Sequence, residues 1–296
     1  MSMRVGVLMG GPSEERDVSL TTGNAVAEAC RRNGYETTEY PFHFDHRKLL
    51  DKLKKQDIIF NALHGGIGEN GKIQAWMNKN GIPNTGSGPE SSALCMDKEK
   101  SKSIATRNNI PTPKWEMLFS TDERSTLPIP FVVKPNDQGS TVGLTIVHNE
   151  SEIVPAIIEA FAHGVLVMVE EYIHGRELTV TVLGDKAYPI VEIRPSHELY
   201  DYECKYTPGM SQYICPAEIP EKLTKSIQHD TELIFKALGC DVYARADYLL
   251  DENGQYYFLE MNTLPGMTST SLVPKSVKAT GMSFDELIKK IIELSL

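Results

Sequence analysis

Residues 243–263 read YARADYLLDENGQYYFLEMNT, and the Asn253-Gly254 pair at their centre is a strong signal for a two-residue hairpin loop. If those two residues form the loop, Glu252 pairs with Gln255. Asp247 then lies opposite Glu260, and Arg245 opposite Asn262. A period of two puts all four side chains on one face of the ribbon. Like charges directly opposite each other destabilise a sheet. Two carboxylates and an amide oxygen gathered in this way call for a cation, and an all-oxygen donor set favours Mg²⁺ or Mn²⁺. The competing reading is a solvated polar face relieved by Arg245.

The chain has 296 residues, enough for two or three domains. Strand and helix signals alternate over residues 3–90. RVGVLMG and DIIFNAL read as buried strands, DVSLTTGNAVAEACRRNGY as a helix ending at Gly34, and GKIQAWMNKNG as a short helix. This βαβ pattern predicts a parallel sheet covered by helices. Residues 91–109 read as helix until Pro111 and Pro113 break the chain. PIPFVVKP and VGLTIV then read as strands around the loop NDQGST. EIVPAIIEAFAHG follows as a helix with Pro155 in its first turn, and VLVMVEEYI and ELTVTVLG as two further strands of a small α+β lobe. After the strand AYPIVEI comes an irregular stretch, HELYDYECKYTPGMSQYICPAEIP, too long and too rich in tyrosine for simple disorder. The expected division is 1–90, 91–184 and 185–296.

The formal net charge of −10 argues against a nucleic-acid partner. No apolar run approaches 18 residues, so no membrane span is expected. The N-terminus runs directly into a strand-like segment, so no signal peptide is expected either. Five scattered cysteines without a C-x-x-C pair read as reduced thiols, consistent with a cytoplasmic location.

KPNDQGSTVG (134–143) is the candidate phosphate grip. Gly139, Ser140, Thr141 and Gly143 can offer backbone N–H groups and hydroxyls, with Lys134 on the preceding strand. No G-x-x-x-x-G-K-[ST] motif occurs, but a Gly-rich hairpin loop can cover phosphates instead. Lys98 can reach phosphates from the helix in MDKEKSK, and Glu170 can accept from ribose hydroxyls; solvated surface charges are the plain alternatives. The turn GGPSEERD is unusual. It looks like a nucleotide-binding turn, yet Glu14, Glu15 and Asp17 would repel a phosphate at the helix N-terminus. It also lacks G-x-G-x-x-G, which disfavours a nicotinamide-dependent dehydrogenase. A non-catalytic amino-acid-binding module would leave the paired carboxylates and the two lysines without a use.

Seven segments in order, GGPSEERDVSL, LHGGIGENGKIQ, TGSGPESSALCMDKEKSK, VVKPNDQGSTVG, YDYECKY, ARADYLL and FLEMNTLPGMTSTSLVP, resemble the D-alanine–D-alanine ligases of the ATP-grasp superfamily. The resemblance spans essentially the whole chain. It implies a three-domain fold of α/β and α+β type, with a Rossmann-like N-terminal parallel sheet and ATP between the two following lobes. It implies ATP-dependent ligation of two D-alanines through a D-alanyl phosphate, for peptidoglycan precursors, by a cytoplasmic homodimer. Lys98, Lys134 and Ser140 would contact ATP phosphates. Glu170, Glu171, Tyr172, Ile173 and Glu177 would bind adenosine, and Asp247, Glu260 and Asn262 two Mg²⁺ or Mn²⁺. Glu15 would take the ammonium of the first D-alanine and His64 its carboxylate region. Ser140 and Tyr206 would complete a hydrogen-bonded triad with Glu15 that closes a lid (197–213). Arg245 and the Gly266 N–H would form the oxyanion hole, Lys205 would reach the transferred phosphoryl group, and Ser271 and Leu272 would meet the second D-alanine. In this family Phe at the position of Tyr206 goes with D-lactate as second substrate, so Tyr favours D-alanine; D-lactate ligation is the nearest alternative.

Overall fold

Strand β1 (Arg4–Gly10) is buried from Val5 onward, as expected of a strand covered on both faces. In the computed structural model, which describes residues 2–197, 204, 207, 209–268 and 270–296, it is the centre of a three-stranded parallel sheet. Its neighbours are β2 (Glu36–Phe42) and β3 (Ile58–Asn61), in the order β2-β1-β3. Helix α1 (Arg16–Arg32) makes the crossover from β1 to β2. It ends at Gly34, whose φ of +82° suits glycine, with Gly34 N–H donating to Arg31 O at 3.0 Å and Tyr35 N–H to Cys30 O at 3.1 Å. The one-turn α2 (Leu50–Leu53) and α3 (Lys72–Lys79) complete this unit.

The expected helix over 91–109 is two helices, α4 (Pro89–Met96) and α5 (Lys98–Arg107). Asp97 separates them. Its backbone is extended and its carboxylate accepts from Lys100 N–H, so an N-cap interrupts what composition reads as one helix. A four-stranded antiparallel sheet follows, in the order β4-β7-β5-β6, from β4 (Trp115–Leu118), β5 (Phe131–Pro135), β6 (Thr145–Val147) and β7 (Val167–Glu171). Helix α6 (Ile153–His163) packs its Ala156, Ile157 and Ala160 against this sheet.

Strand β8 (Gly175–Leu183) does not join β5 and β7. It pairs with β10 (Val191–Pro195) and β12 (Tyr243–Asp251) in a second antiparallel sheet, ordered β11-β10-β8-β12-β13, with β11 (Ser211–Ile214) and β13 (Tyr256–Asn262) at its edges and the short β9 (Lys186–Ala187) beside β8. The grouping of ELTVTVLG with the preceding strands is therefore corrected. Only Tyr172, Ile173 and His174 separate β7 from β8, so this short connection crosses from one sheet to the other. The expected strand AYPIVEI is likewise divided between β9 and β10. The irregular stretch contains β11 (Ser211–Ile214), which pairs with β10. Much of the expected lid lies outside the described residues. Helix α7 (Glu221–Ala237), together with α4 and α5, covers the sheet through Ile227, Ile234, Phe235, Cys95 and Ala105.

Of the last helices, α8 (Leu272–Lys278) packs on β8 and β10, and α9 (Phe284–Leu294) on α1 and α8. Val273, Val277, Leu287, Ile288 and Ile291 share one buried cluster with Val5, Val7, Met9 and Phe60. Arg32 also holds Asp285 through two hydrogen bonds of 2.8 and 2.7 Å.

Helix α1 approaches β1 so closely at Gly23 that a Cβ there would lie 2.6 Å from Met9 Cβ. Gly23→Ala gains about 1 kcal/mol of helix propensity but must displace backbone-anchored atoms, so a net loss of about 1–3 kcal/mol is expected. Urea unfolding of the two proteins measures it; a gain in stability would mean that α1 can move off the sheet.

Candidate active site

The hairpin puts Asp247 opposite Glu260 and Arg245 opposite Asn262, as the sequence predicts, but by another route. Asp251 N–H donates to Gln255 O at 2.9 Å, so Glu252 does not pair with Gln255, and the loop has three residues with Gly254 at φ +80°. That one-residue shift is cancelled by an irregularity beyond Asp247–Glu260, where Tyr248 faces Phe258 and Leu259 is the extra residue. Among the described residues the two carboxylates are met by cationic side chains. Arg245 forks onto Asp247 at 2.9 and 2.7 Å, and Lys98 approaches Glu260 Oε2 at 3.0 Å. Thr179 donates to Asp247 Oδ1 at 2.6 Å. Asn262 Oδ1 accepts from Leu264 N–H at 2.8 Å, which fixes the chain as it leaves β13.

Glu170 is not an exposed edge charge. It is buried on β7 between two ammonium groups, Lys134 Nζ at 2.6 Å on Oε1 and Lys102 Nζ on Oε2. Lys102 also donates to Thr112 Oγ1 at 2.6 Å. Burial would push the Glu170 carboxyl up, but the two lysines outweigh it and hold it below the ordinary value. Burial lowers the Lys102 ammonium to about 8 against the pull of Glu170. The sequence reading missed Lys102. Its signal was the spacing of four from Lys98, which sets the two lysines on one side of α5.

The loop after β5 is fastened to the start of α5. Asn136 accepts from Glu99 N–H at 2.9 Å and donates to Asp97 at 2.9 Å, and Lys98 N–H donates to Asn136 O at 3.1 Å. Lys98 Nζ donates to Gln138 O at 2.5 Å. Ser140 and Thr141 adopt positive φ, 51° and 67°, an uncommon conformation for residues with a Cβ. Ser140 Oγ reaches across to Glu15 Oε1 at 2.5 Å.

Glu15 occupies the N-cap position of α1, but its side chain makes no capping bond. Gly65, at φ +65°, leaves room for it: a Cβ there would lie 2.7 Å from Glu15 Oε2. His64 is buried, with Nε2 2.9 Å from Thr22 Oγ1 and Nδ1 3.7 Å from Glu69. Glu69 is a second wall residue that the sequence reading did not single out. Across from them, Ser271 sits at the N-cap position of α8 without a side-chain capping bond, and Leu272 is buried against Val191 and Ile193. Ser271 Oγ accepts from Thr268 N–H at 3.1 Å, and a Cβ on Gly266 would come within 3.0 Å of that oxygen. Lys205 and Tyr206 lie outside the described residues, so only the Glu15–Ser140 part of the expected triad is seen.

Two cavities run through these residues. One, of about 320 Å³, lies between the two antiparallel sheets and is lined by Lys134, Thr141, Glu170, Glu171, Tyr172, Ile173, Glu177 and Asp247. The other, of about 420 Å³, is lined by Glu15, His64, Glu69, Asn262, Gly266 and Ser271. Lys98, Ser140, Arg245, Glu260 and Leu272 line both, so the cavities meet at the cations and the loop. Such an arrangement can hold an anionic ligand on one side and a small zwitterion on the other, with their reactive ends together.

Glu170 generates a prediction about stability. Its folded carboxyl titrates below 4.5, so its ionised form adds stability that is complete above pH 4.5 and lost as pH falls through the lowered folded value. Glu170→Gln leaves two buried ammonium groups without their carboxylate and should cost about 3 kcal/mol at neutral pH. It should also flatten the acid loss of stability below pH 4.5, as measured by urea midpoints from pH 7 to 3. An unchanged acid profile would show that other carboxylates govern it.

A family model described as "D-ala D-ala ligase C-terminus" matches residues 104–293. The D-alanine–D-alanine ligase of Halalkalibacterium halodurans is 44% identical over 304 residues, covering 99% of both chains. The crystal structure of the Bacillus anthracis D-alanine–D-alanine ligase complexed with ATP superposes with a TM-score of 0.88 at 36% identity, covering 99% of this chain and 97% of that one. The VanG D-Ala:D-Ser ligase of Enterococcus faecalis gives 0.86 at 31% identity over the whole of both chains. With its antiparallel sheets facing each other across the cavity and its motifs gathered on the walls, this chain belongs to the D-alanine–D-alanine ligase family.

Proposed function

We propose that this protein joins two D-alanines to D-alanyl-D-alanine at the expense of ATP, through a D-alanyl phosphate, supplying a peptidoglycan precursor. The observation that carries this reading is the meeting of the two cavities at Lys98, Ser140, Arg245 and Glu260. ATP would lie in the cavity between the sheets. Its adenosine would sit against Glu170, Glu171, Tyr172, Ile173 and Glu177, and its phosphates would run toward Lys98, Lys134 and Ser140. The first D-alanine would place its ammonium at Glu15 and its carboxylate side near His64. This resolves the acidic turn after β1: a carboxylate there suits an amine.

The donor set on the hairpin fits a hard divalent cation. Among the described residues no group of three or more His, Cys, Asp or Glu side chains gathers to hold a metal. Asp247 and Glu260 supply two carboxylates with the Asn262 amide beside them, which leaves further positions for phosphate oxygens and water, as Mg²⁺ prefers. We assign Asp247, Glu260 and Asn262 to two Mg²⁺ or Mn²⁺, which when bound would neutralise charge on the phosphates.

A carboxylate is a poor electrophile, and phosphorylation activates it. Attack of the first D-alanine carboxylate on the γ-phosphorus asks the protein mainly for positioning and positive charge, which Lys98, Lys134 and Lys205 would provide. The second D-alanine, held near Ser271 and Leu272, then attacks as a free amine. The resulting oxyanion would be met by Arg245 and the Gly266 N–H, and phosphate departs. The lid carrying Tyr206 would exclude water, which otherwise hydrolyses the acyl phosphate. A cytoplasmic homodimer without a membrane or nucleic-acid partner belongs to the same reading. The absence from the described residues of any helix long and apolar enough to cross a membrane is compatible with it.

Phosphate release from MgATP should require D-alanine, fail with L-alanine, and yield D-alanyl-D-alanine by mass. A D-alanyl-D-lactate or D-alanyl-D-serine product in mixed incubations would reassign the second substrate, and no release with D-alanine would overturn the reading. Glu260→Gln should lower turnover at least about a hundredfold while the protein stays folded; full activity would remove Glu260 from the metal set.

A further inference from the structure

The buried ammonium of Lys102 has no place among the groups that touch a ligand. It is fully buried, donates to Glu170 Oε2 and to Thr112 Oγ1, and does not line the nucleotide cavity. Lys134, which shares Glu170 with it, does line that cavity. Thr112 in turn donates to Phe258 O at 2.7 Å, so Lys102 is held at a fixed point between α5 and β13. A carboxylate with both oxygens free would close on one ammonium and cancel its charge. Here one oxygen is taken by Lys102, which leaves Lys134 a single hydrogen bond and gives the three groups a net charge of one positive.

We propose that Lys102 is a positioning residue for nucleotide binding: by occupying Oε2 of Glu170 it fixes the carboxylate and leaves the Lys134 ammonium positively charged toward the phosphates. The inference rests on the reading of the 320 Å³ cavity as the ATP site. Lys102 also compensates the buried charge of Glu170, so its loss costs stability as well, and the test must read nucleotide affinity in protein that remains folded. Lys98, one helical turn earlier on α5, is turned to Glu260 and Gln138 instead, so a single helix supplies one lysine to the reacting ends and one to the support of the phosphate lysine.

The test is ATP binding by calorimetry in the presence of Mg²⁺, with the steady-state constants for D-alanine beside it. In Lys102→Met the dissociation constant for ATP should rise about tenfold or more, the loss of one charge-assisted contact. The KM for D-alanine should stay within about twofold of wild type, since Lys102 does not line the second cavity. In a Glu170→Gln background the same substitution should add little, because Lys102 acts through that carboxylate. Unchanged ATP affinity in Lys102→Met, or equal weakening with and without Glu170, overturns the proposal. If Lys102→Met does not fold, Thr112→Val loosens the same ammonium. It should weaken ATP binding in the same direction, and an unchanged affinity overturns the proposal equally. A wild-type protein that binds no ATP would instead overturn the nucleotide reading, and this inference with it.

Discussion

Two carboxylates facing each other on neighbouring strands cannot be left to repel. Asp247 and Glu260 do so on β12 and β13, and much of the site can be understood as the supply of positive charge to them. Arg245 comes from the same strand, two residues away, on the same face. Lys98 comes from the first turn of α5, which Asp97 starts and Asn136 fastens to the loop after β5. The pairing of carboxylates therefore reaches across the cleft and ties the two antiparallel sheets together through a helix.

The same economy appears one layer deeper. Glu170 holds two lysines, and a group that would be costly alone becomes a support for the wall of the cleft. A chain with a net charge of −10 thus gathers Lys98, Lys102, Lys134 and Arg245 close to the cavity between its sheets. A negative overall charge does not exclude a local pocket for a small anion.

Placement of the ends matters as much as charge. Glu15 sits at the N-terminus of α1, and its reach to Ser140 depends on α1 lying close on β1 at Gly23 and on Gly65 leaving space for the carboxylate. Ser271 opens α8, which packs on β8 and β10 while its Val273 and Val277 join the core of the N-terminal unit. The first and last parts of the chain therefore share one core, and the second cavity lies where they meet the loop from the middle.

Sequence alone determined the elements whose signals are local. The buried β1, the helix ending at Gly34, and the facing of Asp247 and Glu260 follow from apolar runs, a glycine and a turn signal within some twenty residues. Even there the hairpin reached its predicted register through a longer loop and a compensating bulge, since turn composition does not report an extra residue further along a strand. Motifs in family order also nominated candidate site residues one by one. What only the tertiary structure decided are relations between distant segments: that β8 leaves its preceding strands for β10 and β12, that the C-terminal helices complete the N-terminal core, and that Lys102 lies buried against Glu170, 68 positions away. Sheet partners and buried ion pairs depend on which surfaces meet after collapse, and neither β-propensity nor a charge run in a helix encodes that choice.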